Sequence, residues 1–168
     1  MTSHARDVFE DCKVAASQLR DGVQGREWRI SWVTTVALLR AVGHVLRNVD
    51  APTDTLLKRI VTEEWSKLSA TKPEPAIFWQ FIEDERNNIL KEYRLSAGLN
   101  ITVRPGTVQL DLNTGEQRGE PGLPTLYDYR MKSGPYAGID QREVLRQALS
   151  WWDSYLSVIE AKYAARQP

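Results

Sequence analysis

Apolar side chains recur at helical spacing through most of this chain, and the period changes only in one stretch towards its end. Residues 5–22 place Val8, Phe9, Cys12, Ala15, Ala16 and Leu19 in one stripe, which Gly22 and Gly25 break. The strongest helical pattern covers 27–49, with Trp28, Trp32, Thr35, Leu39, Val42, Leu46 and Val49 along one face. Its opposite face carries Val33, Ala37 and Ala41, so the helix is apolar nearly all round and suits the middle of a bundle or a subunit contact. Asp50-Ala-Pro-Thr-Asp54 supplies turn and N-cap residues for a third helix at about 53–69, with Leu56, Leu57, Ile60, Val61, Trp65 and Leu68 inward. Lys72-Pro-Glu-Pro75 breaks the chain again, and Pro75 fits the first turn of a fourth helix over 75–94, where its missing N–H costs nothing.

From Ser96 the alternation is that of strands. Asn100–Val103 and Val108–Leu112 flank Arg-Pro-Gly-Thr, with Pro105-Gly106 at the central positions of a type II turn. Residues 113–124 read as a polar Gly/Pro-rich loop, and Thr125–Met131 as a third strand. Asp140 and Glu143 have capping-box spacing and open a last helix to about 164, which carries Val144, Ala148, Trp151, Trp152, Tyr155, Leu156 and Ile159. The pattern predicts a mainly α fold: a five-helix bundle with a small antiparallel β insertion, about 98–132, between the fourth and fifth helices. Neither an internal repeat nor a second core is visible, so 1–168 reads as a single helical domain.

Composition narrows the function classes. With 22 basic and 22 acidic side chains, no net field draws the protein to nucleic acid or to an anionic membrane. No apolar run approaches the roughly 20 residues of a membrane span, and MTSHARDVFEDCK lacks the apolar core of a signal peptide, so a cytoplasmic protein is expected. Cys12 is alone and can form no intrachain disulfide; its neighbours mark it as a small core hydrophobe. The six tryptophans fall at core spacing rather than as base-stacking platforms.

One charge stands out against this pattern. On a regular helical wheel Phe78, Trp79, Ile82, Ile89, Leu90 and Tyr93 share an arc, and Arg86 falls at its centre with Glu83 at its edge. A guanidinium there costs several kcal/mol unless it is paired. The wheel therefore predicts a Glu83–Arg86 pair, and a loss of about 3–5 kcal/mol when Glu83 is removed. A second polar set, Arg40, His44 and Arg47, follows i, i+4, i+7 spacing on the second helix. If the second and fourth helices face each other, these five residues form one polar network, with His44 a core histidine bonded to Glu83.

Arg86-Asn-Asn-Ile-Leu-Lys-Glu-Tyr93 resembles the signature of HEPN-domain proteins, Arg-x4-His-x-Tyr on a late helix of an α-bundle. Arg86, Asn87 and Tyr93 match, while Lys91 stands at the histidine position. The resemblance implies a bundle that dimerises and, in active members, a metal-independent endoribonuclease site assembled from two subunits. It also implies a toxin-antitoxin or phage-defence setting, and many members of the family are inactive binding modules.

Lysine holds its proton too tightly near neutral pH to serve as both base and acid, so Lys91 favours the inactive kind. His44, on another helix, is the candidate replacement in a composite site with Arg86. The catalytic candidates are thus Arg86, Asn87, Lys91, Tyr93 and His44, and the leading expectation is a non-catalytic homodimeric interaction module. A protein partner is compatible with this, RNA is disfavoured by the net charge, and an endoribonuclease is the alternative. No cofactor is expected, and His4, Cys12 and His44 make no metal-ligand spacing.

Overall fold

The computed structural model describes residues 2–102, 108–110, 117–119 and 126–166. It is mainly α, with five helices and a small antiparallel β excursion between the fourth and fifth, as the periodicity predicts. Helix α1 spans Ser3–Ser17 and α2 spans Gly25–Val45. The chain continues from α2 through a π-helical turn, Leu46–Asp50, and a short 3-10 turn, Ala51–Thr53, into α3, Thr55–Ala70. A second π-helical segment, Ile77–Glu83, leads directly into α4, Asp84–Glu92. The last helix, α5, runs Gln141–Ala165.

The stripes read from the sequence on α1, α2, α3 and α5 face one core. Phe9 and Cys12 of α1, Trp32, Val36 and Leu39 of α2, Leu57 and Ile60 of α3, and Trp152, Leu156 and Ile159 of α5 are all fully buried. Burial pushes the Cys12 thiol up to about 12, which leaves it an inert core group. Phe78, at 0% exposure, packs against Trp65, Trp79, Trp151 and Trp152 with ring centroids 4.8–5.9 Å apart. Trp152 is thereby consumed inside the bundle, and α5 does not present it for association.

Helix α2 crosses α5 closely enough that Gly43 has no room for a side chain. A Cβ built there meets the buried Trp152 indole at 2.7 Å. Gly43→Ala is therefore expected to destabilise by about 1–2 kcal/mol, read as a lower urea midpoint at unchanged m-value.

Helix ends are fixed by side chains near and far. Asp54 caps α3 through Leu56 N–H and Leu57 N–H, and Asp140 caps α5 through Arg142 N–H. At α1 the cap comes from a distant part of the chain. Asp50, 1% exposed, accepts from the backbone N–H groups of His4 (3.3 Å) and Ala5 (2.8 Å) and lies 2.8 Å from His4 Nδ1. This explains why α1 begins at Ser3, ahead of its apolar stripe.

The excursion is paired differently from the local reading. Strand β1, Ala97–Thr102, runs antiparallel to β4, Leu126–Met131, with Leu99 opposite Tyr129 and Asn100 opposite Asp128. Strands β2, Val108–Leu110, and β3, Gln117–Gly119, form a second ladder, so β3 lies within the stretch read as loop. The expected Pro105-Gly106 turn and most of 113–124 lie outside the described residues. What selects β4 as the partner of β1 is anchoring to the bundle rather than a local turn. Tyr129 stacks on Trp28 at 3.9 Å, its hydroxyl accepts from Gly25 N–H, and Asn100 donates to Asp128. Among the described residues no helix is long and apolar enough to cross a membrane.

Candidate functional site

The second and fourth helices do face each other, and a groove of about 360 Å3 lies between them. Ala37, Arg40, Ala41 and His44 of α2 line one wall, and Arg86 and Leu90 of α4 line the other. Arg40, His44 and Arg86 are thus brought together as the spacing on the two helices suggests. The rest of the expected network is arranged differently.

Arg86 is half-buried at the edge of the core rather than at its centre, and its guanidinium donates to Asn87 Oδ1 at 3.0 Å. It makes no ion pair with Glu83 within 4.0 Å. Arg86 leaves the core centre because of the π-helical segment Ile77–Glu83. An α-helix turns about 100° per residue, whereas a wide i→i+5 turn advances each residue by less, and the difference accumulates over the segment. By α4 the wheel has slipped: Glu85 and Ile89 face the core, and Leu90 and Tyr93 are about 60% exposed. The buried carboxylate of this helix is therefore Glu85, which accepts from Trp32 Nε1–H (3.0 Å) and Ser96 N–H (2.9 Å).

His44 is exposed rather than in the core, and its Nδ1 accepts from the Asn48 amide at 3.1 Å instead of meeting Glu83. Arg47, beyond the end of α2, carries its guanidinium over the Trp65 ring at 4.4 Å, away from the groove lining. Lys91 is exposed. Tyr93 ends α4 in the left-handed conformation (φ 49°) rather than continuing its face, and Arg94 N–H closes the turn on the Asn88 carbonyl.

Charge in the groove is unbalanced. Arg40 makes no ion pair within 4.0 Å among the described residues. Burial pulls its guanidinium below the ordinary value, Arg86 and Arg47 pull the same way, and the Glu83 carboxylate opposes them. Two half-buried guanidinium groups thus share one groove with a single nearby carboxylate, itself half-buried. Such a site attracts an anion, and His44 places an imidazole on the same groove. Among the described residues no cluster of three His, Cys, Asp or Glu side chains is placed to hold a metal ion.

No family model, curated protein or solved structure matches this chain. The groove has to be read from its own chemistry.

Sequence reasoning missed Glu85. Its only sequence signal is a carboxylate one residue from a wheel position, which becomes informative once the helix is known to be under-wound.

Proposed function

We propose that this chain is a non-catalytic, HEPN-like interaction module that pairs with a second copy of itself through the outward face of α2 and α4. The observation that carries this reading is the pair of half-buried arginines, Arg40 and Arg86, without a bonded carboxylate, beside a half-buried Glu83 that is equally unpaired. A two-fold contact is self-complementary, so a patch holding both signs can satisfy itself by apposing Glu83 of one copy to the arginines of the other. Ala37 and Ala41 allow close approach, and exposed Leu90 supplies apolar area at the rim.

Light scattering at micromolar concentration is expected to give the dimer mass. Arg86→Glu is expected to give a monomer, and adding Glu83→Arg to it should restore the dimer by exchanging the signs. A monomeric wild-type protein sinks the reading.

The endoribonuclease alternative is supported by one feature, His44 and Arg86 lining the same groove. Its mark is RNA cleavage that survives EDTA and is lost in both His44→Ala and Arg86→Ala. The expected result is no cleavage above background, because Lys91 points to solvent and leaves one imidazole, His44, lining the groove for two proton transfers.

A further inference from the structure

A second cavity, of about 200 Å3, lies against a different set of α4 residues, between that helix and the loop after β4. Its inner wall includes Phe81, 1% exposed, and Glu85, 2% exposed; Asp84 at the rim is exposed. Gln80, Asn88 and Tyr136 contribute the remaining walls that matter for recognition.

The state of Glu85 is what sets this cavity apart. Both of its protein donors, Trp32 Nε1–H and Ser96 N–H, converge on Oε1. Oε2 receives no hydrogen bond from the described residues, and no lysine, arginine or histidine comes within 4.0 Å of the carboxylate. Yet Oε2 is not sealed. The sealed, unpaired side-chain polar atoms among the described residues are the indole nitrogens of Trp79 and Trp152. The free oxygen therefore keeps a small surface, and the cavity that Glu85 lines is where that surface opens. A carboxylate this deeply buried with half of its accepting capacity unused calls for a positive donor.

We propose that this cavity binds an organic ammonium group, with Glu85 Oε2 as its counter-ion. The lining fixes the sign, since it contains two carboxylates and no cationic side chain. It also selects an ammonium over a hard metal ion. Among the described residues no cluster of three His, Cys, Asp or Glu side chains is placed to hold a metal ion. Calcium or magnesium needs about six oxygen ligands with several carboxylates among them, whereas one ammonium is satisfied by Glu85 Oε2 and neighbouring side-chain acceptors such as Gln80 and Asn88. At roughly 30 Å3 for each water-sized group, the space takes an amine of about five to seven heavy atoms. A free alkylamine and a lysine side chain of another polypeptide share this chemistry.

The test is protein-observed NMR with pentylamine, with a short lysine-containing peptide capped at both ends, and with pentan-1-ol as the uncharged control. The Trp32 indole N–H and the Ser96 amide serve as reporters. Saturable shifts of both reporters are expected with an amine and not with the alcohol. Pentylamine binding identifies a free-amine site, and binding of the peptide alone identifies a lysine side chain as the source.

Glu85→Gln keeps an oxygen for Trp32 and Ser96 but removes the charge, and it is expected to weaken amine binding at least about tenfold. Asp84→Asn, at the exposed rim, should weaken it by a smaller factor, and it keeps the test open if the Glu85 variant does not fold. Equal response to amine and alcohol, no response to either amine, or unchanged amine affinity in Glu85→Gln would overturn the proposal.

Discussion

Replacing Glu85 by alanine is expected to lower the unfolding free energy by about 2–4 kcal/mol, while Glu83→Ala, two residues earlier, is expected to change the stability of the single chain by no more than about 0.5 kcal/mol and to act on the dimer instead. The two glutamates differ in what they leave behind. Glu85 accepts from the buried Trp32 indole and from Ser96 N–H, and a buried donor without an acceptor loses its full hydration. It also ties α2 to the first residues of the β excursion, so its loss loosens two elements at once. Within its own chain Glu83 makes no hydrogen bond or ion pair whose loss would strand a partner, so the loss of about 3–5 kcal/mol that a regular wheel predicts for it does not apply to the fold of the single chain. Urea titration of both variants and of Glu85→Gln checks this. The glutamine retains an accepting oxygen, so its midpoint should fall between those of wild type and Glu85→Ala. Equal loss in Glu83→Ala and Glu85→Ala would mean that the register of α4 is that of the regular wheel.

The other large effect is expected at Asp50, where alanine should cost about 2–3 kcal/mol. A helix begins with N–H groups that have no partner inside the helix, and those of α1 at His4 and Ala5 point at the Asp50 carboxylate. Thr2, at the usual capping position, makes no cap hydrogen bond and instead donates to Glu160. No side chain of α1 can therefore take over when Asp50 is removed. The carboxylate also adds a negative charge at the positive end of the helix dipole. Hydrogen exchange supplies the specific readout: the His4 and Ala5 amides should exchange much faster in Asp50→Ala, while amides in the middle of α5 slow or quicken only with global stability. Unchanged protection at His4 and Ala5 would show that the cap is made by another group.

The polar ties between α1 and α5 give stability a pH dependence with a definite sign. Glu160 is held below the ordinary carboxylate value of 4.5 chiefly by its bond to Arg6. A carboxylate depressed in the folded state contributes stability above its unfolded value and loses it as pH falls through the folded value. This contribution is therefore full at neutral pH and declines in acid below about 4.5.

What the sequence alone determined is the part of the structure governed by local periodicity. Five helices, the inward stripes of all but the fourth, the N-caps at Asp54 and Asp140, the buried Cys12 and the existence of a β excursion follow from which side chains repeat at which spacing. The approach of Arg40, His44 and Arg86 was conditional on the second and fourth helices facing each other, which only the packing supplies. The tertiary structure decided where periodicity is broken and where partners are distant. The under-wound segment Ile77–Glu83 exchanged the roles of Glu83 and Glu85, and a wheel that assumes one constant turn per residue has no means of seeing this. The turn Leu46–Asp50 likewise left Val49 partly exposed and brought Asp50 beneath α1, 45 residues away from Ala5. Strand β1 chose β4 over its neighbour because Tyr129 stacks on Trp28 of α2, a contact across 101 positions that no turn signal encodes. Local pattern fixes which faces want burial, but the energy of a buried polar atom depends on which particular donor reaches it, and that is settled only when the elements pack.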